Sequence, residues 1–252
     1  MLKKILFIIG IVLIVALLFL NSKFHFFASD SNKKGVKSLQ LKTIADIPLT
    51  GNANRLDYQS INYENHRLYI THLGSDMVHV FDLRTQKIIK DIPDISSPHG
   101  ILVVPELKEV YVSASGKNQI DVIDEETLTV INHIPVGDTP DGIAYDPNTH
   151  KLYVSNENGG TISVIDAKTN EHVKELTVGG AVGNTQYDGI SKLIYSAGGY
   201  ENKLVEVDSK SDTILHKYDM KDCSHPHGFY IDTLTHYALV TCDANETMIT
   251  LD

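Results

Sequence analysis

Short segments of alternating apolar and polar positions, separated by Gly, Pro, Asn and Asp, run along most of this chain. Residues 150–166, HKLYVSNENGGTISVID, have the pattern of two short β-strands joined by a glycine-containing turn. The same pattern recurs in residues 65–82, 108–124, 192–208 and 236–252. The aspartates that close the five copies are Asp82, Asp124, Asp166, Asp208 and Asp252, so their spacings are 42, 42, 42 and 44. A fixed period of this length predicts a repeat protein with five copies.

Each copy is predicted to contain four short antiparallel strands. In the third copy we expect strands at residues 142–145, 152–155, 161–165 and 172–178, with a turn at 146–149. Helical repeats of similar length would need apolar residues at a spacing of 3.6, whereas these segments are rich in Val, Ile, Tyr and Thr. The sequence therefore predicts an all-β propeller of four-stranded blades, with about five repeats and almost no helix beyond the N-terminus.

The two ends of the repeat region raise a question about closure. Residues 39–49 resemble a lone fourth strand, and the chain stops after a third strand at Asp252. An N-terminal strand that completes the last blade would leave no free sheet edge, and this predicts a closed propeller of five blades. The alternative is an incomplete copy of a larger propeller.

The N-terminus carries a membrane-targeting pattern. Lys3 and Lys4 precede sixteen uncharged, mostly apolar residues, 5–20, a little short of the roughly 20 that span a bilayer as a helix. No small-x-small cleavage site is present near Ala28, which favours an uncleaved transmembrane anchor over a signal peptide that would release a secreted protein. The two lysines predict a cytoplasmic N-terminus and an exported remainder. We divide the chain into an anchor or signal segment (1–22), a flexible linker (23–38) and a propeller domain (39–252).

The exported part is acidic. Without Lys3 and Lys4 it has 20 basic residues (22 less 2) against 32 acidic ones, a formal charge of −12. This balance disfavours binding to a phosphate backbone, so nucleic acid is not an expected partner.

Cys223 and Cys242 are the only cysteines, and both belong to the last copy. They stand almost symmetrically about the turn expected at residues 232–235, so their side chains could face each other across a hairpin. An exported protein permits oxidation, and such a disulfide is worth about 3 kcal/mol. Two unrelated buried thiols are the alternative.

Several motifs resemble the YVTN-repeat, or YncE-like, family of exported β-propellers. They are LYVSN followed by TISVID and the junction from Ile134 to Pro147, IPVG-x-x-P-x-G-I-x-x-D-P. The stretches LDYQS after Arg55, NTQYD from Asn184 and the Cys223-x-His225-Pro-His-Gly…Cys242 arrangement are similar to one exported subfamily. The resemblance covers residues 39–252. Because that family usually has seven blades, it implies a truncated seven-blade protein rather than a five-blade one.

Ligand sites in propellers favour the mouth of the central channel, where each first strand begins. Alignment of the junctions, with spacings of 44, 42, 42 and 44, places Arg55, His99, Asp141, Gly183 and His227 at one position. Neighbouring residues add Asp57, Asn184 and His225, and the ends of the second strands add His72, Asn156, Glu157 and Asp243. We expect a ligand site formed by Arg55, Asp57, His99, Asp141, Asn184, His225 and His227. A divalent metal at His99, Asp141 and His227 is one possible cofactor, and solvated channel lining is the alternative.

Two classes of function follow. The first is a membrane-tethered, extracytoplasmic propeller that binds a protein, a polymer or a small ligand, or acts as a scaffold, without catalysis. The second is a metal- or quinone-dependent oxidoreductase, or a lactonase, with its site at the channel mouth. The sequence favours the first, because the His and Asp residues are loosely placed and form no cofactor motif, so no catalytic residue is assigned.

Overall fold

The computed structural model describes residues 42–198, 201–232 and 234–252. The expected anchor or signal segment (1–22) and linker (23–38) lie outside these residues. Within the described ranges, no helix is long and apolar enough to cross a membrane. Residues 42–46 contain neither helix nor strand, and residues 47–252 contain five antiparallel β-sheets in chain order.

Each sheet is one blade of a propeller. Blade 1 contains β1 (Gln59–Asn62), β2 (Arg67–His72), β3 (Met77–Asp82) and β4 (Lys87–Ile92). Blade 2 contains β5 (Pro98–Val104), β6 (Glu109–Ala114), β7 (Gln119–Asp124) and β8 (Thr129–Pro135). Blade 3 contains β9 (Pro140–Asp146), β10 (Lys151–Asn156), β11 (Thr161–Asp166) and β12 (Glu171–Thr177). Blade 4 contains β13 (Thr185–Asp188), β14 (Leu193–Gly198), β15 (Lys203–Asp208) and β16 (Thr213–Asp219). Blade 5 contains β17 (Pro226–Asp232), β18 (Tyr237–Cys242) and β19 (Thr247–Leu251).

The predicted strands of the third copy are confirmed. The hairpin of residues 150–166 is β10 paired with β11, in register from Lys151 opposite Asp166 to Asn156 opposite Thr161. Its closing aspartate caps the following turn, because Oδ1 of Asp166 accepts hydrogen bonds from the backbone N–H groups of Lys168 (2.8 Å) and Thr169 (3.2 Å). Asp82, Asp124 and Asp208 accept the equivalent backbone hydrogen bonds in blades 1, 2 and 4, so the repeated aspartate is a structural residue of these four blades.

A tyrosine at the third position of each of the first three second strands joins neighbouring blades. Tyr69, Tyr111 and Tyr153 are fully buried. The hydroxyl of Tyr69 donates to Glu125 of blade 2 (3.0 Å), and that of Tyr153 donates to Asp212 of blade 4 (2.6 Å). The ring supplies apolar area to the core between two blades, and the hydroxyl finds an acceptor in the third-to-fourth strand turn of the next blade. These three tyrosines thus stabilise the stacking of the blades.

Blade 5 differs from the other four. Within the described residues its sheet has three strands, ordered β17, β18, β19. The fourth strand expected at residues 39–49 was a wrong prediction for the described part of that range, since residues 42–49 form no strand. Every other fourth strand follows its third strand through a short turn and pairs locally, whereas residues 39–49 would need a partner from the far end of the chain.

The predicted disulfide is confirmed. Cys223 and Cys242 are bonded, with 5.1 Å between their Cα atoms, and both are buried beside Phe229 and Val240. The bond links the segment before β17 to the end of β18. It therefore fixes the chain just ahead of His225 and His227.

Candidate functional site at the channel mouth

Strand register decides which residues share a position at the channel. In the five blades the equivalent first-to-second strand pairs are Gln59 with Ile70, Ile101 with Val112, Ile143 with Val154, Thr185 with Ser196 and Phe229 with Val240. Two residues before each first-strand member stand Asp57, His99, Asp141, Gly183 and His227. We call these five the channel ring.

The assignment of Arg55 to this position was wrong, because the junction before blade 1 was aligned with a spacing of 44. The register of β1 with β2 requires 42, which moves the position to Asp57 and aligns Arg55 with His225 instead. The guanidinium of Arg55 is largely exposed and pairs with Asp57, with 3.1 Å between Nη2 and Oδ2.

Glycine follows the ring position in blades 2, 3 and 5, and in blades 2 and 3 the packing of the first strands explains why. A Cβ at Gly100 would overlap the carbonyl oxygen of Asp141, and one at Gly142 would lie 2.6 Å from the backbone nitrogen of Thr185. The first strand of blade 3 is therefore too close to those of blades 2 and 4 for a side chain at Gly100 or Gly142. Blade 1 places Tyr58 at this position instead.

Tyr58 bridges blade 1 and blade 3. Its hydroxyl donates to Oδ2 of Asp141 over 3.3 Å. Burial, and then the negative charge of Asp141, raise the pKa of the Tyr58 hydroxyl well above its usual value. Tyr58 was not among the candidate residues, although it lies in the LDYQS stretch. The signal for it is the contrast with glycine at the equivalent positions of other blades.

Asp141 is the buried centre of the site, with only 2% of its surface exposed. Burial raises the pKa of Asp141 to about 6; His227 and His99 oppose that rise, whereas Glu157 and Asp57 add to it. Side chains from blades 1, 2, 3 and 5 therefore act on one carboxyl group. The structure brings together most of the charged residues that the sequence assigned to the mouth.

His99 is oriented by its own backbone. Its Nδ1 donates to the carbonyl oxygen of Ser97 over 2.9 Å, and its Nε2 lies 3.9 Å from Oδ2 of Asp57. Both side chains are mostly buried. The imidazole of blade 2 thus presents its second nitrogen towards the carboxylate of blade 1.

His225 and His227 form the blade 5 side of the mouth. Their rings stack with centroids 6.2 Å apart, and Nδ1 of His225 lies 3.9 Å from Oδ2 of Asp243. The backbone N–H of Asn184 donates to the carbonyl oxygen of His227 over 3.2 Å. Asn184 therefore joins blade 4 to blade 5 through its backbone.

Two residues at the ends of second strands do not belong to the mouth. His72 and Asn156 are buried within their own blades, where His72 contacts His79 and Asn156 contacts Ser163 and Glu175. Successive side chains of a strand point to opposite faces of the sheet, and these two lie on the faces that carry His79 and Ser163. Glu157, one residue beyond Asn156, is the residue that acts on Asp141.

The metal site stays a prediction. No group of three His, Cys, Asp or Glu side chains within the described ranges is arranged to hold a metal ion. His99 and His227 act on Asp141 through their charge.

The fold and the channel ring define the class of the protein as a β-propeller whose polar side chains converge on the central axis. The model of the YNCE-like beta-propeller family matches residues 50–185, more than half of the chain. The chain belongs to this family. None of the curated proteins matches the chain.

Solved structures confirm the fold. Hydrazine synthase from Kuenenia stuttgartiensis is similar, with a TM-score of 0.67 and 21% identity over 73% of this chain and 54% of that one. A chain in the crystal structure of a mitotic checkpoint complex is similar too, with a TM-score of 0.70 and 16% identity over 80% of this chain and 63% of that one. The chain thus spans less than two thirds of either. At these identities the likeness shows the fold alone.

The disulfide and the family together indicate an extracytoplasmic location. Disulfides form and persist in oxidising compartments, and they are rare in the cytosol.

Proposed function

We propose that this protein is a membrane-tethered, extracytoplasmic binding module that takes a small polar ligand at the mouth of its channel. The ligand class we infer carries an amine or another strong hydrogen-bond donor, which Asp141 receives. The observation that carries the proposal is the state of Asp141, a buried carboxyl group at the point where four blades converge.

A buried carboxyl group ordinarily has ion-pair partners or several donors, because its desolvation is costly. Among the described residues, Asp141 receives one side-chain hydrogen bond, the 3.3 Å contact from Tyr58. The carboxylates of Asp57 and Glu157 disfavour its charge further. His227 and His99 compensate only in part, because the pKa of Asp141 still rises to about 6. A cationic donor from a ligand would supply further compensation, and strongly perturbed groups of this kind cluster at functional sites.

The surroundings of Asp141 support a ligand that has acceptors as well. His99, His225 and His227 line the mouth and can donate from imidazole nitrogens, and Arg55 adds a largely exposed guanidinium. A molecule with an amine and nearby oxygens, such as an amino alcohol or an amino sugar, would satisfy both sets of groups.

The tether is part of the proposal. Residues 1–22 would hold the propeller at the membrane, and residues 23–38 would act as a flexible spacer. Its support is the apolar run behind Lys3 and Lys4.

Thermal unfolding of the full chain with ethanolamine, glucosamine and spermidine, at pH 5 and pH 8, tests the site. We expect at least one amine to raise the melting temperature at pH 8, where Asp141 is ionised, and to do so less at pH 5. Asp141→Asn should remove the shift. Asp138→Asn is the matched control, because it changes an exposed carboxylate three residues away. The proposal fails if no amine stabilises the wild type, or if Asp141→Asn responds as the wild type does.

A further inference from the structure

Blade 1 contains a chain of ionisable side chains away from the channel ring. His72 of β2, His79 of β3 and Asp91 of β4 lie on one face of the sheet, and both imidazoles are buried. Nδ1 of His72 lies 2.9 Å from Nε2 of His79, and Nδ1 of His79 lies 2.7 Å from Oδ1 of Asp91. The three groups thus form a continuous hydrogen-bonded chain.

The far end of this chain contacts only acceptors. Nε2 of His72 lies 3.0 Å from the carbonyl oxygen of Asn52 and 2.7 Å from Oδ1 of Asn54. The amide of Asn54 is oriented by its Nδ2, which donates to the carbonyl oxygen of Gly74 over 2.7 Å. Because neither oxygen can donate, Nε2 of His72 must carry a proton.

The hydrogen-bonded chain of His72, His79 and Asp91 holds one more proton than its neutral imidazoles supply. Three contacts need one hydrogen each: His72 to the asparagine oxygens, His72 to His79, and His79 to Asp91. Two neutral imidazoles and a carboxylate supply two hydrogens, so the chain holds a third. Burial works to raise the pKa of Asp91, but hydrogen bonds from Thr50 and His79 outweigh it and the pKa of Asp91 is lowered. The additional proton therefore resides on the imidazoles.

We propose that His72 and His79 form a buried proton-binding site, an imidazole–imidazolium pair balanced by Asp91, and that its proton holds residues 50–54 against blade 1. This segment is attached to both ends of the hydrogen-bonded chain of side chains. Thr50 bonds to Asp91 (2.6 Å), and Asn52 and Asn54 bond to His72. Loss of the proton leaves two lone pairs facing each other at one contact and weakens that attachment. Residues 50–54 lead directly to Arg55 and Asp57, so the blade 1 side of the channel mouth loosens with them.

The neighbouring elements supply few other charges. Asp91 of β4 is the ionisable group that faces the pair from the adjoining strand, and residues 50–54 (Thr-Gly-Asn-Ala-Asn) contain none. On the same face of β2 and β3 the neighbours are Ile70 and Met77, directly opposite His79 and His72. The proton is thus held chiefly by the pair itself and by Asp91.

The folded pair holds one additional proton, whereas the unfolded chain has two independent imidazoles that bind two at pH 5 and almost none at pH 8. Stability rises with pH where the unfolded state binds more protons and falls where the folded state binds more. The contribution of the pair to stability should therefore be greatest near pH 6.5, roughly the ordinary histidine value, and should decrease on both sides.

Nitrogen NMR of the ¹⁵N-labelled full chain in detergent tests this directly, with no ligand and no dependence on the site at the channel mouth. His72→Gln and His79→Gln assign the imidazole resonances. We expect the wild-type pair at pH 6.5 to show one shared additional proton, and the amides of Asn52 and Asn54 to shift with the midpoint at which that proton is lost. Two neutral imidazoles at pH 6.5, or two that titrate independently, would overturn the proposal.

His133→Gln provides the matched control in blade 2. In blade 2 the equivalent pair has its residues exchanged: Asp121 stands where blade 1 has His79, and His133 stands opposite it where blade 1 has Asp91. His133 bonds to Asp121 over 2.6 Å, but it is a single, largely exposed imidazole. Urea unfolding between pH 5 and pH 8 measures the difference in stability between the wild type and each variant. This difference should pass through a maximum near pH 6.5 for His79→Gln and should show no maximum for His133→Gln. The same pH profile for both variants would contradict a shared proton.

Discussion

The hydroxyl of Tyr58 in blade 1 lies 3.3 Å from Oδ2 of Asp141 in blade 3, across the first strand of the blade between them. The position of blade 2 that is equivalent to Tyr58 is Gly100, where a Cβ would overlap the carbonyl oxygen of Asp141. The contact of Tyr58 with Asp141 places a phenol beside a buried carboxyl group at the channel mouth. The same position thus packs strands in one blade and builds the site in another.

Ionisation of Asp141 should cost the folded protein stability. The pKa of Asp141 is raised from 3.8 to about 6. The stability that its neutral carboxyl group contributes is therefore fully present below pH 3.8 and is lost as the pH rises through 6. Asp141→Asn should stabilise the protein by about 2–3 kcal/mol at pH 8 and change little at pH 3.5. Urea unfolding at both values measures this. A variant that is destabilised equally at both would show that the carboxyl group is needed for packing instead.

Gly100 should tolerate no side chain. A Cβ would overlap the carbonyl oxygen of Asp141, which is backbone and cannot move without displacing β9. Gly100→Ala should lower the free energy of unfolding by about 1–3 kcal/mol. Gly189→Ala is the control, since a Cβ there meets nothing within 4 Å. Equal urea midpoints for the two variants would contradict the close approach of the first strands.

Asp166 should contribute to stability through the turn that it caps, and it should not contribute to ligand binding at the channel mouth. Asp166→Ala removes the acceptor for the N–H groups of Lys168 and Thr169, and we expect a loss of about 1 kcal/mol. Asp166→Asn keeps an acceptor oxygen and should lose less. Thermal unfolding with and without an amine that binds the wild type separates the two roles. A change in the amine response of Asp166→Ala would argue against a purely structural role.

The disulfide should stabilise the protein by about 3 kcal/mol in the chain-entropy account of loop closure. The double variant Cys223→Ser, Cys242→Ser removes it, and it should unfold at lower urea concentration by that amount. Addition of a reductant should shift the wild type towards the double variant and leave the variant unchanged. If reductant alters both equally, its effect does not come from this bond.

The repeat length, the four-stranded pattern and the disulfide could all be predicted from the sequence, because each depends on residues close together in the chain. Hairpins such as β10–β11 form between neighbours, and their alternation and turn residues are visible locally. Cys223 and Cys242 flank a single hairpin, so their pairing follows from its symmetry.

Contacts between blades could not be predicted in this way. Arg55 was placed two residues too early because the pairing of β1 with β2, and not the spacing of the motifs, sets the register of blade 1. Tyr58 meets Asp141 only when blades 1 and 3 converge on one axis. The sequence by itself determined the repeated blade and its local bonds, since those depend on short-range pairing. Which side chains share the channel mouth, and which are buried together as His72 and His79 are, was decided only by tertiary packing, because that packing joins residues that no local pattern connects.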